Sequence, residues 1–161
     1  AGAAYLEESD KGIISVVQGS IGKKGMVLNC ESRRTHNIFT EDGIEHDYLH
    51  MDGQEVYKFA VRQCPKCLLE ALEKADMTAD DIDYFVLHQA NVRIIESVAK
   101  RLKAPIEKFP MTLGYTGNMS AASVPVMLDS LVRDGGLKRG DKVAMSAFGA
   151  GLTYGAIVLE W

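Results

Sequence analysis

The chain has 161 residues and a net charge of −4, with 47% hydrophobic and 25% charged residues and few prolines. This length suits one domain with a sizeable core, and the composition is that of an ordinary soluble globular protein. The acidic balance argues against general affinity for nucleic acid, and no apolar run approaches the roughly 18 residues that a membrane helix needs. We therefore expect a globular protein with neither a nucleic-acid nor a membrane partner.

The first residues read Ala-Gly-Ala-Ala-Tyr-Leu, without an initiator Met and without a basic-then-apolar leader. This is not the pattern of a signal peptide, and it indicates a chain that begins partway through a structural element. The β-branched run from Ile13 to Gln18 predicts a strand. Residues 19–53 mix glycines, charges and histidines, which predicts a long surface loop or insertion, and loops of that length are usually functional.

Apolar residues at helical spacing predict a helix from Gln54 to Lys74, with a kink or a break at Pro65. Thr78 and Asp81 form a helix-start signal for a short turn. The remaining predicted elements are a buried strand Tyr84–Leu87 ending at His88, a helix Asn91–Leu102, a strand Lys108–Leu113, a turn Gly114–Asn118, a helix Ser120–Arg133, a strand Lys142–Ala147, a glycine turn Phe148–Gly151 and a strand Leu152–Glu160.

This alternation of strands and helices predicts an α/β fold. We expect a mixed, mostly parallel five-stranded sheet covered by helices, in which the final hairpin makes one edge antiparallel. Such sheets place their sites where strand ends feed loops, and His88 and Asn118 both follow predicted strands.

The cysteines are odd in number, lack disulfide-framework spacing and accompany no export signal, which indicates reduced thiols in a cytoplasmic protein. Cys64 and Cys67 form a Cys-x-x-Cys on a predicted helix without a second pair, which favours core cysteines over zinc or redox chemistry. Cys30 lies in the predicted loop and is assigned no role. His46 and His50 have the i, i+4 spacing of metal ligands, yet no third ligand is evident, so we predict no metal site.

Three short motifs follow one another about 30 residues apart: His-Gln-Ala-Asn at 88–91, Gly-Asn-Met-Ser-Ala-Ala-Ser at 117–123 and Phe-Gly-Ala-Gly at 148–151. Each alone is weak, since Asn118 is first of all a helix N-cap candidate. Together they resemble the thiolase-fold condensing enzymes, and most closely the β-ketoacyl-acyl carrier protein synthase III family. The resemblance runs over nearly the whole chain and is strongest at 84–161. Chalcone-synthase-like relatives usually have His-Pro-Gly-Gly at the first motif, so the His-Gln-Ala-Asn of this chain favours the synthase III family.

The resemblance implies the C-terminal half of an acyltransferase that starts fatty acid synthesis by decarboxylative Claisen condensation, with an acyl-coenzyme A thioester and malonyl-acyl carrier protein as substrates and no other cofactor. It implies that His88, in its neutral form, and Asn118 donate hydrogen bonds to the enolate-like oxygen of the malonyl thioester. It implies an oxyanion-hole N–H at Ala150, where many relatives have glycine. None of the three cysteines matches the family's nucleophile, which lies in the N-terminal half, so this chain alone is expected to be inactive in condensation.

Residues 91–108 hold five basic and two acidic side chains, whereas the rest of the chain has a net charge of −7. A basic island on an acidic chain indicates an anionic partner, with a solvated helix face as the alternative. By the resemblance, the surface for acyl carrier protein comprises Arg93, Lys100, Arg101 and Lys58, and the positions near the pantetheine or coenzyme A arm are Asn91, Gly53 and Gln54.

The resemblance divides the chain into the end of the N-terminal half with a connecting strand (1–18), a loop or insertion (19–53) and a C-terminal thiolase-like domain (54–161). It implies the N-terminal half of the same enzyme and a second subunit in a homodimer as further partners. Two alternatives stay open: a non-catalytic condensing-fold subunit that binds carrier protein, and a polyketide-type relative of secondary metabolism. The intact pair of His88 and Asn118 favours an enzyme, because a structural subunit has no need of two aimed donors.

Overall fold

The computed structural model describes residues 1–30 and 48–161, so His46 and residues 31–47 of the predicted loop lie outside the described residues. Short 3-10 turns connect several of the elements. The strands and helices are β1 (Ile13–Ser20), β2 (Leu28–Asn29), β3 (His50–Met51), α1 (Gly53–Lys74), β4 (Tyr84–Leu87), α2 (Val92–Leu102), α3 (Leu113–Thr116), α4 (Ser123–Arg133), β5 (Lys142–Gly149) and β6 (Thr153–Glu160).

The main sheet has four strands in the order β1-β6-β5-β4, and β2 pairs with β3 in a short ribbon. β1 and β5 both run antiparallel to β6, while β4 and β5 run parallel. The predicted mixed α/β fold with a helix-covered sheet is confirmed, but the prediction of five mostly parallel strands is wrong for the described residues. The alternation of strands and helices along the sequence does not show that β1 pairs with the last strand, β6, because this pairing joins distant parts of the chain.

Residues 108–113 do not form the predicted strand. Phe109 is buried and stacks on Phe85 of β4, with the ring centroids 4.7 Å apart. The backbone N–H of Thr112 donates to the side-chain oxygen of Gln89 at 3.1 Å. The apolar pattern therefore indicated burial correctly. The backbone N–H of Thr112, however, is satisfied by a side chain and not by a neighbouring strand.

α1 runs through Pro65 without the predicted break. Because proline has no N–H, the carbonyl of Val61 loses the donor that residue i+4 of a helix normally supplies. The guanidinium of Arg101, on α2, donates to that carbonyl at 3.1 Å. A side chain from the neighbouring helix thus satisfies the backbone group that Pro65 leaves without a donor.

Helices cover the two faces of the sheet unequally. α1 and α2 bury the larger apolar cluster against one face, and α4 buries a smaller cluster against β4 and β5 on the other. On β1, Ser15 and Val17 are buried towards α1, whereas Ile14 and Val16 point the opposite way and are 42% and 49% exposed. Among the described residues, no helix has the length and hydropathy to cross a bilayer.

Candidate active site

His88 directly follows β4 at the carboxyl end of the strand. Its backbone N–H donates to the carbonyl of Ser146 at 2.9 Å, which extends the parallel pairing with β5 by one residue. Its ring meets the ring of Phe148 on β5 edge to face, with the centroids 5.3 Å apart. The buried strand and this aromatic contact fix the position of the imidazole.

The Nδ1 atom of His88 lies 2.6 Å from the hydroxyl oxygen of Ser123, the first residue of α4. Ser123 is fully buried, and the same oxygen accepts a hydrogen bond from the backbone N–H of Gln89 at 3.2 Å. Our sequence-based prediction assigned Ser123 no role, although it ends the 117–123 motif. That place in the motif, at the start of a helix, was the available signal.

A cavity of about 420 Å³ adjoins His88. The start of α4 contributes Ser123 and Val124 to its lining, β5 contributes Phe148, and β6 contributes Tyr154. None of the described lining residues is Asp, Glu, Lys or Arg. Burial lowers the pKa of His88 below its ordinary value, so the imidazole is neutral at physiological pH.

Asn118 lies in an exposed turn after α3 and is not among the described residues that line the cavity, although Ser120 is. Its side-chain oxygen accepts a hydrogen bond from the backbone N–H of Ser120 at 2.9 Å. The oxygen therefore serves the local turn, and the Nδ2 amide group carries the donors that a ligand can use. The structure brings His88 together with the 117–123 motif through Ser123, but it does not place the side chain of Asn118 in the cavity lining.

Gln89 connects the strand that carries His88 to the segment that leads towards Asn118. It is fully buried, and its amide nitrogen donates to the carbonyls of Leu87 at 2.9 Å and Pro110 at 3.4 Å. Its amide oxygen accepts from Thr112, as described above. Our sequence-based prediction used Gln89 only as part of the first motif, although a polar residue directly after a buried strand was a signal for such a role.

Ala150 lies in the exposed turn between β5 and β6. Its carbonyl accepts a hydrogen bond from the hydroxyl of Thr153 at 3.0 Å. The preceding residues Phe148 and Gly149 line the cavity, whereas Ala150 itself does not. The turn therefore adjoins the cavity, and the role of the Ala150 N–H stays a prediction.

The four cations predicted to bind a carrier protein fall into two pairs. Arg93 and Lys100 are exposed on α2, and neither forms an ion pair with any part of the chain that the structure describes. Arg101 is held by the carbonyl of Val61. Lys58 forms an ion pair with Glu55 at 3.0 Å, and Lys24 and Lys58 together lower the pKa of that carboxyl to about 2.

The three positions predicted near a pantetheine arm lie at helix N-termini. Asn91 caps α2, because its side-chain oxygen accepts from the N–H of Arg93 at 2.8 Å. Gly53 and Gln54 open α1, and the N–H of Gln54 donates to the capping carboxylate of Asp52 at 3.1 Å. All three predicted positions are exposed.

The mixed sheet, with a histidine cavity at a strand end, has the fold of the thiolase-fold condensing enzymes, as its likeness to a solved structure of that class shows. The family model described as 3-oxoacyl-[acyl-carrier-protein (ACP)] synthase III C terminal matches residues 72–161. The chain belongs to this family, which confirms the resemblance on which the sequence-based predictions rest.

Relatives from several sources agree with this assignment. A β-ketoacyl-[acyl-carrier-protein] synthase III of Synechococcus sp. (strain WH7803) is 46% identical over 167 residues, which covers 100% of this chain and 49% of the relative. The crystal structure of the 3-oxoacyl-[acyl-carrier-protein] synthase III from Aquifex aeolicus VF5 has a TM-score of 0.84 at 34% identity and covers 97% of this chain and 46% of that one. The priming β-ketosynthase from the R1128 polyketide biosynthetic pathway has a TM-score of 0.82 at 38% identity, over 92% and 45% of the two chains. This chain spans about half the length of the curated relatives it matches.

Proposed function

We propose that this chain is the C-terminal half of a β-ketoacyl-acyl carrier protein synthase III, an acyltransferase that condenses an acyl group from acyl-coenzyme A with malonyl-acyl carrier protein. The observation that carries the proposal is the neutral His88 beside a cavity whose described lining residues are uncharged, in a chain of this family. The reaction that such a site supports is the first condensation of fatty acid synthesis.

Decarboxylation of a malonyl thioester leaves its electrons on the thioester oxygen, which becomes enolate-like. In our proposal, Nε2 of His88 and Nδ2 of Asn118 donate hydrogen bonds to that oxygen. Two neutral donors stabilise the charge without being consumed, and they act most strongly where water and competing charges are excluded. The described lining residues of the cavity are uncharged and the pKa of His88 is depressed, and both observations support the role of His88. The role of Asn118 rests on the resemblance to the family.

A second negative charge develops when the carbanion attacks the acyl-cysteine thioester. In our proposal, the backbone N–H of Ala150 helps to hold the oxygen of that tetrahedral intermediate. The turn at Ala150 follows Phe148 and Gly149, which line the same cavity as His88, and this adjacency supports the assignment.

The nucleophilic cysteine belongs, in our proposal, to an N-terminal half that packs against this one. Burial raises the pKa of the Cys64 thiol to about 12 and that of Cys67 to about 11, so neither forms the thiolate that acyl transfer needs. These two thiols, buried outside any disulfide, also support a cytoplasmic location.

The exposed apolar residues of β1 support an adjoining half. Ile14 and Val16 lie on the face of the sheet that α1 does not cover, and they would be buried by a further layer. In this division, residues 1–18 connect the two halves, residues 19–53 form an insertion and residues 54–161 form the C-terminal domain, whose sheet β1 completes.

Acyl carrier protein, acyl-coenzyme A and a second subunit in a homodimer are the remaining proposed partners. Arg93 and Lys100 on α2 are exposed and form no ion pair with the described part of the chain, which supports the docking of an acidic carrier protein. The exposed helix starts at Gly53, Gln54 and Asn91 support contact with the pantetheine or coenzyme A arm.

The test is condensation by the full-length protein that contains this chain, supplied with radioactive acetyl-coenzyme A and malonyl-acyl carrier protein. We expect labelled 3-ketoacyl-acyl carrier protein, together with label on the denatured full-length protein and none on this chain alone. Stoichiometric labelling of Cys30, Cys64 or Cys67 would contradict the proposed site of the nucleophile. Carrier-protein binding without condensation would favour the non-catalytic alternative.

A polyketide-type relative is a second candidate, because the R1128 priming synthase is 38% identical over 92% of this chain. Both candidates use the same condensation chemistry and differ in the acyl primer. Comparing acetyl-, branched and longer acyl-coenzyme A on the full-length protein separates the two candidates.

A further inference from the structure

The contact between Ser123 and His88 determines more than the position of the ring. The hydroxyl oxygen of Ser123 has two neighbours: Nδ1 of His88 at 2.6 Å and the backbone N–H of Gln89 at 3.2 Å. The N–H of Gln89 can only donate, so it occupies one lone pair of the hydroxyl oxygen. The single hydroxyl hydrogen must then find an acceptor of its own.

Two arrangements of the protons are conceivable at this contact. If Nδ1 carried a hydrogen, it would donate to the second lone pair, and the hydroxyl hydrogen of Ser123 would need another acceptor. Ser123 is fully buried, and the described part of the chain gives its hydroxyl no other acceptor. A buried donor without a partner is costly, so the arrangement in which the hydroxyl donates to an unprotonated Nδ1 is favoured.

We propose that Ser123 is a positioning residue that fixes His88 as the neutral tautomer with its hydrogen on Nε2. Because Nδ1 is engaged by the hydroxyl, Nε2 is the ring nitrogen that can offer its N–H to the cavity. This inference rests on the proposed function, since the enolate oxygen needs a neutral donor at that atom.

The same contact opposes protonation of the ring. An imidazolium carries a hydrogen on both nitrogens, so it would leave the Ser123 hydroxyl without an acceptor. Tyr154 is the other titratable side chain among the described lining residues. On the α1 side, Cys64 contacts Ser146 and stays neutral, because burial raises its pKa to about 12. Burial lowers the pKa of His88, and the described lining residues include no charged neighbour that would oppose this. In our inference, the Ser123 contact acts in the same direction.

The direct test is nuclear magnetic resonance of the histidine rings in the full-length protein labelled with ¹³C and ¹⁵N. A His88→Gln variant assigns the signal of His88. We expect a protonated Nε2, an unprotonated Nδ1 and a titration midpoint below the ordinary value of about 6.5. A parent protein with its hydrogen on Nδ1 overturns the inference, and this measurement needs no Ser123 variant.

Two variants at the contact and one elsewhere on α4 extend the test. Ser123→Ala should give a mixture of tautomers and raise the titration midpoint, whereas Ser123→Thr keeps the hydroxyl and should retain the parent signals. Ser130→Ala is the matched control, because that hydroxyl donates to the carbonyl of Val126 on the same helix. Unchanged tautomer and midpoint in a folded Ser123→Ala protein overturn the inference.

Kinetics separate this inference from the proposed function. Ser123→Ala should lower kcat for malonyl decarboxylation on the order of tenfold with little change in KM, and should move the acid limb of the pH profile upwards, because the neutral ring is the active form. A fixed Nε2–H tautomer in a protein that does not condense supports the inference and contradicts the proposed function. Full condensation by a protein that carries the histidine hydrogen on Nδ1 supports the proposed function and contradicts the inference.

Discussion

The corner formed by His88, Gln89 and Ser123 and the exposed face of α2 contrast in burial and in hydrogen bonding, although His88 and α2 are only a few residues apart along the chain. At the corner, His88 is partly buried and its Nδ1 is engaged, and neighbouring Gln89 and Ser123 are fully buried in the same hydrogen-bonded network. On α2, Arg93 and Lys100 extend into solvent without an ion pair in the described part of the chain. The corner suits chemistry that depends on fixed geometry, and the helix face suits attraction that tolerates loose geometry.

The largest effects should come from removing either of the two proposed donors, His88 or Asn118. In the full-length protein, His88→Ala or Asn118→Ala should slow malonyl decarboxylation on the order of 100- to 1,000-fold, because a preorganised donor is lost where charge develops. Carbon dioxide released from carboxyl-labelled malonyl-acyl carrier protein measures this step. Transfer of the acyl group to cysteine should survive in both variants, and either variant decarboxylating at the parent rate would mean that its side chain does not stabilise the enolate.

Gln89 should show that the corner depends on buried hydrogen bonds. Gln89→Ala removes the partners of Leu87, Pro110 and Thr112 at once, and each buried group left unsatisfied costs about 1–3 kcal/mol. We expect a loss of unfolding free energy of at least about 2 kcal/mol in urea titration, together with slower decarboxylation.

Gln63→Ala on α1 is the matched control. The Gln63 amide forms no hydrogen bond with the described residues, so stability should barely change. A Gln89→Ala protein as stable as the parent would mean that water replaces the amide, and Gln89 would then not hold the two segments together.

These two regions also differ in how far the sequence predicts them. His88 at the end of a buried strand and the exposed cations of α2 follow from local apolar periodicity, which the structure retains. The contact of Ser123 with His88 joins residues 35 positions apart, and no local pattern specifies it. Of the predicted kink or break at Pro65, the break is absent for the same reason, because the guanidinium that compensates for the proline comes from another helix.

Substitution of Arg101 should show whether this cation of α2 stabilises the fold or contributes to docking. The Arg101 guanidinium donates to the Val61 carbonyl at 3.1 Å, and Arg101→Ala removes that donor. We expect the unfolding free energy to fall by about 1 kcal/mol. Lys100→Ala should change stability little. Pro65→Ala restores a backbone N–H that can reach the same carbonyl. In the Pro65→Ala background, Arg101→Ala should therefore cost clearly less, as a double-mutant cycle in urea would measure. Equal costs in both backgrounds would mean that the Arg101 contact does not compensate for the proline.

The smallest effects should come from the exposed cations, because the proposed attraction to an acidic carrier protein is spread over several charges. Exposed ion pairs contribute only ~0.2–1 kcal/mol each, so neutralising a single cation changes little and charge reversal is the sharper variant. Arg93→Glu should raise KM for malonyl-acyl carrier protein several-fold and leave the use of acyl-coenzyme A nearly unchanged. The defect should shrink as salt rises, because charges are screened within roughly 10 Å at 0.1 M ionic strength.

Lys58→Glu is the matched comparison, because Lys58 is already paired with Glu55 and offers less attraction to a partner than Arg93, which has no ion pair in the described residues. Reversal at Lys58 should therefore raise KM less than reversal at Arg93. Arg93 and Lys100 are seven positions apart, close to two helical turns, so both project from the side of α2 opposite the buried Ile94, Ile95 and Val98. Equal losses with both substrates after Arg93→Glu would mean that Arg93 supports the fold or a site that both substrates use, and the carrier protein would then have to dock elsewhere.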